Sequence, residues 1–183
     1  MTGEGGQGEA GGLDTAQLPP PAPVPGPGEV GRAGGRVGQP CTEACLVLRP
    51  SEIEVFDRGS GVKTVPFVGK WNTPANESNR VTTGMTVFGP GTGIPLHSHN
   101  VEESVPVIAG EATAIIGGER FDLVAGQATW VPTGIPHCFV NRGEGEMTIY
   151  WVYGGRDVTR TVTATGETFE HLSAGDRGAT PKQ

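Results

Sequence analysis

The chain has 183 residues, a formal net charge of −7, an apolar fraction of 35%, 31 glycines and 16 prolines. That length is enough for one domain with its own core. The acidic balance argues against nucleic-acid binding and against an anionic membrane surface, both of which require concentrated lysine and arginine.

Residues 1–45 are rich in Gly, Pro and Ala and include the run Leu18-Pro-Pro-Pro-Ala-Pro-Val-Pro. Such a stretch cannot bury enough apolar surface to offset the entropy of ordering, so it reads as a disordered tail. The three cysteines, Cys41, Cys45 and Cys138, are too few and too odd in number for a disulfide framework, and a reduced cytoplasm is the expected home. The first residues carry neither a basic region nor an apolar run of the secretory kind. No later run approaches membrane-spanning length.

Globular character begins near Leu46 and is expected to extend to Leu172, with 173–183 as a flexible C-terminal tail. Ile53–Phe56 and Val62–Val68 read as strands around a glycine-rich turn, and Pro66 suits an edge strand. Val81–Phe88 is a further strand, entered from Arg80. Gly89–Gly93 turns the chain into a strand carrying His97 and His99, which Glu103 to Ala109 continues. Glu111–Ile116 and Glu119–Val124 flank Gly117-Gly118, a pair suited to a tight primed hairpin turn. Gln127–Val131, the segment around His137–Asn141, and Met147–Tyr153 follow as strands, and residues 156–163 supply one more. Short strands punctuated by Gly and Pro, without an amphipathic helix, describe an all-β barrel or sandwich.

Side chains alternate faces along a strand, so His97 and His99 point to the same side. Carrying that parity forward brings Glu103, rather than its neighbour Glu102, to the same face. His137 offers a third imidazole. Three imidazoles and one carboxylate suit a single first-row divalent metal ion. Phe139 shares the parity of His137 and is expected beside the metal, with Cys138 facing away as a packed thiol. Trp151 and Tyr153, or alternatively Tyr150, join Phe139 and Phe88 as pocket walls. Arg80 is a candidate clamp for a substrate carboxylate. His171 falls outside this pattern and reads as surface or structural.

Gly91, His97, His99, Glu103 and Gly110 together resemble the first motif of the cupin superfamily. Gly126, Pro132, Gly134, His137 and Asn141 resemble its second motif, and the short gap between the two is similar to that of small single-domain bacterial cupins. The resemblance implies a double-stranded β-helix, a jelly-roll-like barrel, over about residues 46–172. It implies metal ligation by His97, His99, Glu103 and His137, and it makes a homodimer the expected assembly, with the strands before the barrel pairing across it. Fold alone does not specify a reaction. The leading expectation is a non-haem Fe2+ dioxygenase, an oxidoreductase acting on a small organic molecule. A lyase, cyclase or isomerase using Zn2+ or Mn2+ is the alternative, with Ni2+ or Co2+ also compatible with the ligands. A non-catalytic cupin that binds a small molecule is the third reading.

Overall fold

In the computed structural model, which describes residues 39–42, 45–73 and 79–178, the most strongly β-prone run of the sequence becomes the middle of a sheet. Along Met147–Tyr153, Met147, Ile149, Trp151 and Tyr153 are buried while the residues between them are only partly so. Each fully buried large apolar side chain of such a strand contributes roughly 1.5–3 kcal/mol.

Two six-stranded sheets are formed. With strands numbered in chain order, the first sheet runs β10 (Ala128–Val131), β7 (Glu103–Ala109), β12 (Met147–Tyr153), β5 (Thr82–Phe88), β4 (Val62–Val68) and β3 (Phe56–Gly59). The second runs β14 (Thr168–Glu170), β13 (Thr159–Val162), β6 (His97–His99), β11 (His137–Asn141), β8 (Glu111–Ile116) and β9 (Glu119–Val124). The pairings within both sheets are antiparallel. The core lies between the inner faces and includes Phe88, Val105, Val107, Ala114, Phe139, Ile149 and Trp151. This is the all-β, jelly-roll-like architecture expected of the sequence. Among the described residues, the helical segments are single 3-10 turns at Pro50–Glu52 and Ala174–Asp176.

Gly117 and Gly118 take positive φ values of 59° and 90° and close the β8–β9 hairpin, with Ile116 paired to Glu119. Pro66 sits where its missing N–H does little harm. β3 pairs with β4 only as far as Thr64, so one side of β4 is open at Pro66.

Three expectations change. β6 and β7 are not one continued strand: the chain crosses from the second sheet to the first between His99 and Glu103. The expected tail over 1–45 lies largely outside the described residues. Within it, Gln39–Thr42 (β1) pairs with Cys45–Val47 (β2) as a two-stranded sheet. The expected C-terminal tail from 173 is not a tail over its described part, because Asp176 is fully buried between two arginines. Sequence period carries no sign of this, since an ion pair formed by one turn has no repeat.

Candidate metal centre

His97 and His99 leave β6 on the same face, and His137 on β11 is the cross-strand partner of His97. All three are buried, with relative exposures of 1–4%. Their ligand atoms lie within 4.8 Å of one another. Glu103, from the facing sheet, brings Oε2 to 2.8 Å from His137 Nε2 and 4.0 Å from His99 Nε2.

Backbone carbonyls orient the rings. His97 Nδ1 lies 2.7 Å from the Pro95 carbonyl oxygen, His99 Nδ1 2.9 Å from that of Thr159, and His137 Nδ1 2.8 Å from that of Ile135. A carbonyl only accepts, so each Nδ1 carries a ring proton and each ring turns its Nε2 inward, as a lone pair on the neutral His97 and His99. The Nε2 atoms of His97 and His99 are 3.1 Å apart. Two lone pairs at that distance repel unless a proton or a cation lies between them. His137 Nε2 and Glu103 Oε2 are close enough for an ion pair, yet neither atom finds an aligned hydrogen-bond partner among the described residues. Orphaned donor atoms converging on one point, each ring fixed from behind by a carbonyl, fit a divalent metal ion.

Electrostatics support that fit. Burial, then the neighbouring His99 and His137, push His97 well below the ordinary imidazole range. Burial likewise lowers His99, partly opposed by Glu103. For His137, burial pulls downward but the Glu103 carboxylate outweighs it, so this ring holds a proton more tightly than usual. A metal must displace that proton as it binds.

The cavity beside the histidines is small, about 20 Å³. Phe139, Trp151 and Tyr153 line it, which answers the question of which face of β12 turns inward. Tyr150 instead stacks on Phe67, with ring centroids 6.0 Å apart, and Phe88 belongs to the core away from the cavity. Burial, then Glu103, raise the Tyr153 phenol well above its ordinary value, so it stays protonated. Glu102 is exposed and accepts a hydrogen bond from Trp130 Nε1 at 2.9 Å. Cys138 is a buried free thiol whose side faces away from the cavity.

The candidate clamp Arg80 is corrected. It is exposed just before β5 and does not line the cavity. Two other arginines do: Arg58 on β3 and Arg160 on β13, with His171 beside them. Arg160 is the cross-strand neighbour of His99 and so shares its inner face, a signal visible only once β13 is known to pair with β6. His171, expected to be surface or structural, is buried, with its ring centroid 5.0 Å from Tyr153 and 6.3 Å from His99.

Asn141 closes the second motif through its own contacts. Its side-chain amide donates to the carbonyls of Phe88, Gly89 and Gly145 at 2.9, 3.1 and 2.8 Å, tying the end of β11 to the end of β5.

Two facing antiparallel sheets with a buried histidine triad and a carboxylate on their inner surfaces define a small β-barrel protein equipped to hold a metal ion. The family model described as the cupin domain matches residues 84–153, from within β5 to the end of β12 and including all four candidate ligands. Among curated proteins, the HTH-type transcriptional regulator PuuR of Escherichia coli (strain K12) is 45% identical over 47 residues, or 26% of this chain and 25% of the regulator. PuuR of Shigella flexneri matches to the same extent, so the alignment spans about a quarter of these relatives' length. Among solved structures, oxalate decarboxylase from Bacillus subtilis at pH 4.6 superposes with a TM-score of 0.56 at 21% identity, covering 63% of this chain and 31% of that one. Vicilin from Corylus avellana (hazelnut) superposes at 0.53 with 18% identity, covering 67% and 35%. These superpositions show a shared fold. Among the described residues, no helix is long and apolar enough to cross a membrane.

Proposed function

We propose that this cupin is a metal-dependent enzyme acting on a small organic molecule, and that its chemistry is that of a non-haem Fe2+ dioxygenase. The observation that supports this reading is the convergence of three inward-turned Nε2 atoms and an unpartnered Glu103 oxygen on one buried point. His97, His99, His137 and Glu103 would hold the ion. A divalent ion bound by these groups supplies Lewis acidity, and iron adds redox chemistry towards dioxygen. The chain's own contribution is positioning and exclusion of water. Phe139, Trp151 and Tyr153 wall the cavity, whose small volume keeps bulk water out.

The test is elemental analysis of anaerobically purified, untagged protein beside His99→Ala, followed by an oxygen-uptake screen over small organic substrates. Near-stoichiometric iron, lost in the variant, together with substrate-dependent oxygen uptake is the expected result. Manganese or zinc with turnover but no oxygen consumption would move the assignment to a redox-neutral lyase, cyclase or isomerase. A second reading, a cupin that binds a small molecule without turning it over, draws on the 45% identity over 47 residues to a transcriptional regulator. It predicts ligand binding with no product. Under either reading we place the protein as a homodimer, for which light scattering should give twice the chain mass.

A further inference from the structure

We infer that the cavity carries, beside the metal ligands, a built subsite for a substrate carboxylate, in which Arg160 and His171 donate and Arg58 supplies charge. The assignment rests on a divalent ion at the histidine cluster and narrows the substrate to a small carboxylic acid.

Arg58 and Arg160 are 8% and 3% exposed, and His171 is 7% exposed. Each nitrogen of Arg58 has a partner. The side chain donates to the Thr64 hydroxyl at 2.8 Å, to the Asp176 carbonyl at 2.6 Å and to Asp176 Oδ2 at 3.1 Å. Arg160 pairs with Asp176 and donates from Nη2 to the Asp176 carbonyl, but its Nη1 has no partner among the described residues. Among the described residues, both ring nitrogens of His171 are without a hydrogen-bond partner, its Nδ1 lying 3.6 Å from Asp176 Oδ2. Buried donors without acceptors are costly, about 1–3 kcal/mol each. They persist where a ligand completes them.

Charge points the same way. Arg58 and Arg160 are balanced by Asp176 and Glu103, while the neutral histidines and the protonated Tyr153 add nothing. A divalent ion therefore leaves two positive charges uncompensated in a nearly closed cavity, and an anion is the ligand such a site favours. The guanidinium face and the imidazole N–H suit the flat fork of a carboxylate. His171 also lines an open groove of about 420 Å³ with Trp71 and Leu172, and so stands between the two spaces.

The experiment is isothermal titration calorimetry of acetate and, separately, of its neutral isostere acetamide. Both are titrated into metal-free and Co2+-loaded full-length protein, with Arg160→Gln and His171→Phe compared and metal content measured for each. Acetate should bind and acetamide should not, and each variant should weaken acetate by about tenfold or more at unchanged metal content. Equal binding of both probes, or an acetate affinity unaffected in His171→Phe, overturns the subsite. If the chain takes up no metal, the metal-enzyme reading falls and the subsite, which depends on the ion's charge, falls with it, whereas metal uptake without acetate binding overturns the subsite alone. The phenylalanine ring keeps the packing against Trp151 and Tyr153, so that variant decides even if Arg160→Gln fails to fold.

Discussion

Glu102 and Glu103 are chemically identical neighbours with opposite surroundings. Glu103 is 4% exposed and faces three imidazoles, whereas Glu102 lies on the surface against Trp130. Glu103→Ala should therefore lower bound metal severalfold, while Glu102→Ala leaves it within error. Inductively coupled plasma mass spectrometry reads both, and the reverse pattern would transfer the ligand role. The histidines also set a pH dependence. Burial holds His97, His99 and His171 below the ordinary imidazole value, so below about pH 6.5 the unfolded chain binds more protons than the folded one. Their contribution to stability is thus present above that pH and lost on acidification. His137 is shifted upward and works in the opposite sense, but it is one ring against three. The melting temperature of the metal-free protein should fall between pH 7 and pH 5, and His171→Phe should flatten that fall in a calorimetric pH series.

Strand β5 shows how an element shapes the site without touching a ligand. A Cβ placed at Gly84 would come within 2.2 Å of the Trp151 ring and 2.6 Å of the Val65 carbonyl. Only glycine lets the indole lie flat on the sheet, where its Nε1 donates to the Thr86 hydroxyl at 3.1 Å. Gly84→Ala should cost about 1–3 kcal/mol by overpacking, measured by urea denaturation, and should push Trp151 into the cavity. The 3-10 turn at Ala174–Asp176 acts through charge. Its aspartate, with no exposed surface, meets Arg58, Arg160 and the backbone N–H of Leu172. Asp176→Asn removes the carboxylate that pairs with both buried guanidinium groups and should destabilise the fold by about 3–5 kcal/mol. A change within about 0.5 kcal/mol, the usual range of a surface substitution, would mean that water already reaches these arginines.

A metal ion that binds only the folded chain stabilises the entire protein by mass action. Saturation at about a hundredfold above Kd should add about 2.7 kcal/mol, seen as a raised melting temperature that a chelator reverses. No such shift in the wild type, or an equal shift in His99→Ala, would remove the histidine cluster as the binding site. Local sequence was enough for the β class, most strand positions and the convergence of His97, His99, Glu103 and His137, because each depends on periodicity or on motif spacing. Even there, the reason for Glu103 differed: parity along one strand pointed to it, whereas the structure sets it on the opposite sheet, facing the histidines across the core. It took the packed fold to show that β12 turns Trp151 and Tyr153 inward, that Arg80 stays outside, and that Arg58, Arg160, His171 and Asp176 meet beside the site. Those four residues span positions 58 to 176 and share no repeat. What joins them is the pairing of β13 with β6 and the closure of two sheets over one core. Contacts of that range are set by packing energy between distant segments, which local sequence does not encode.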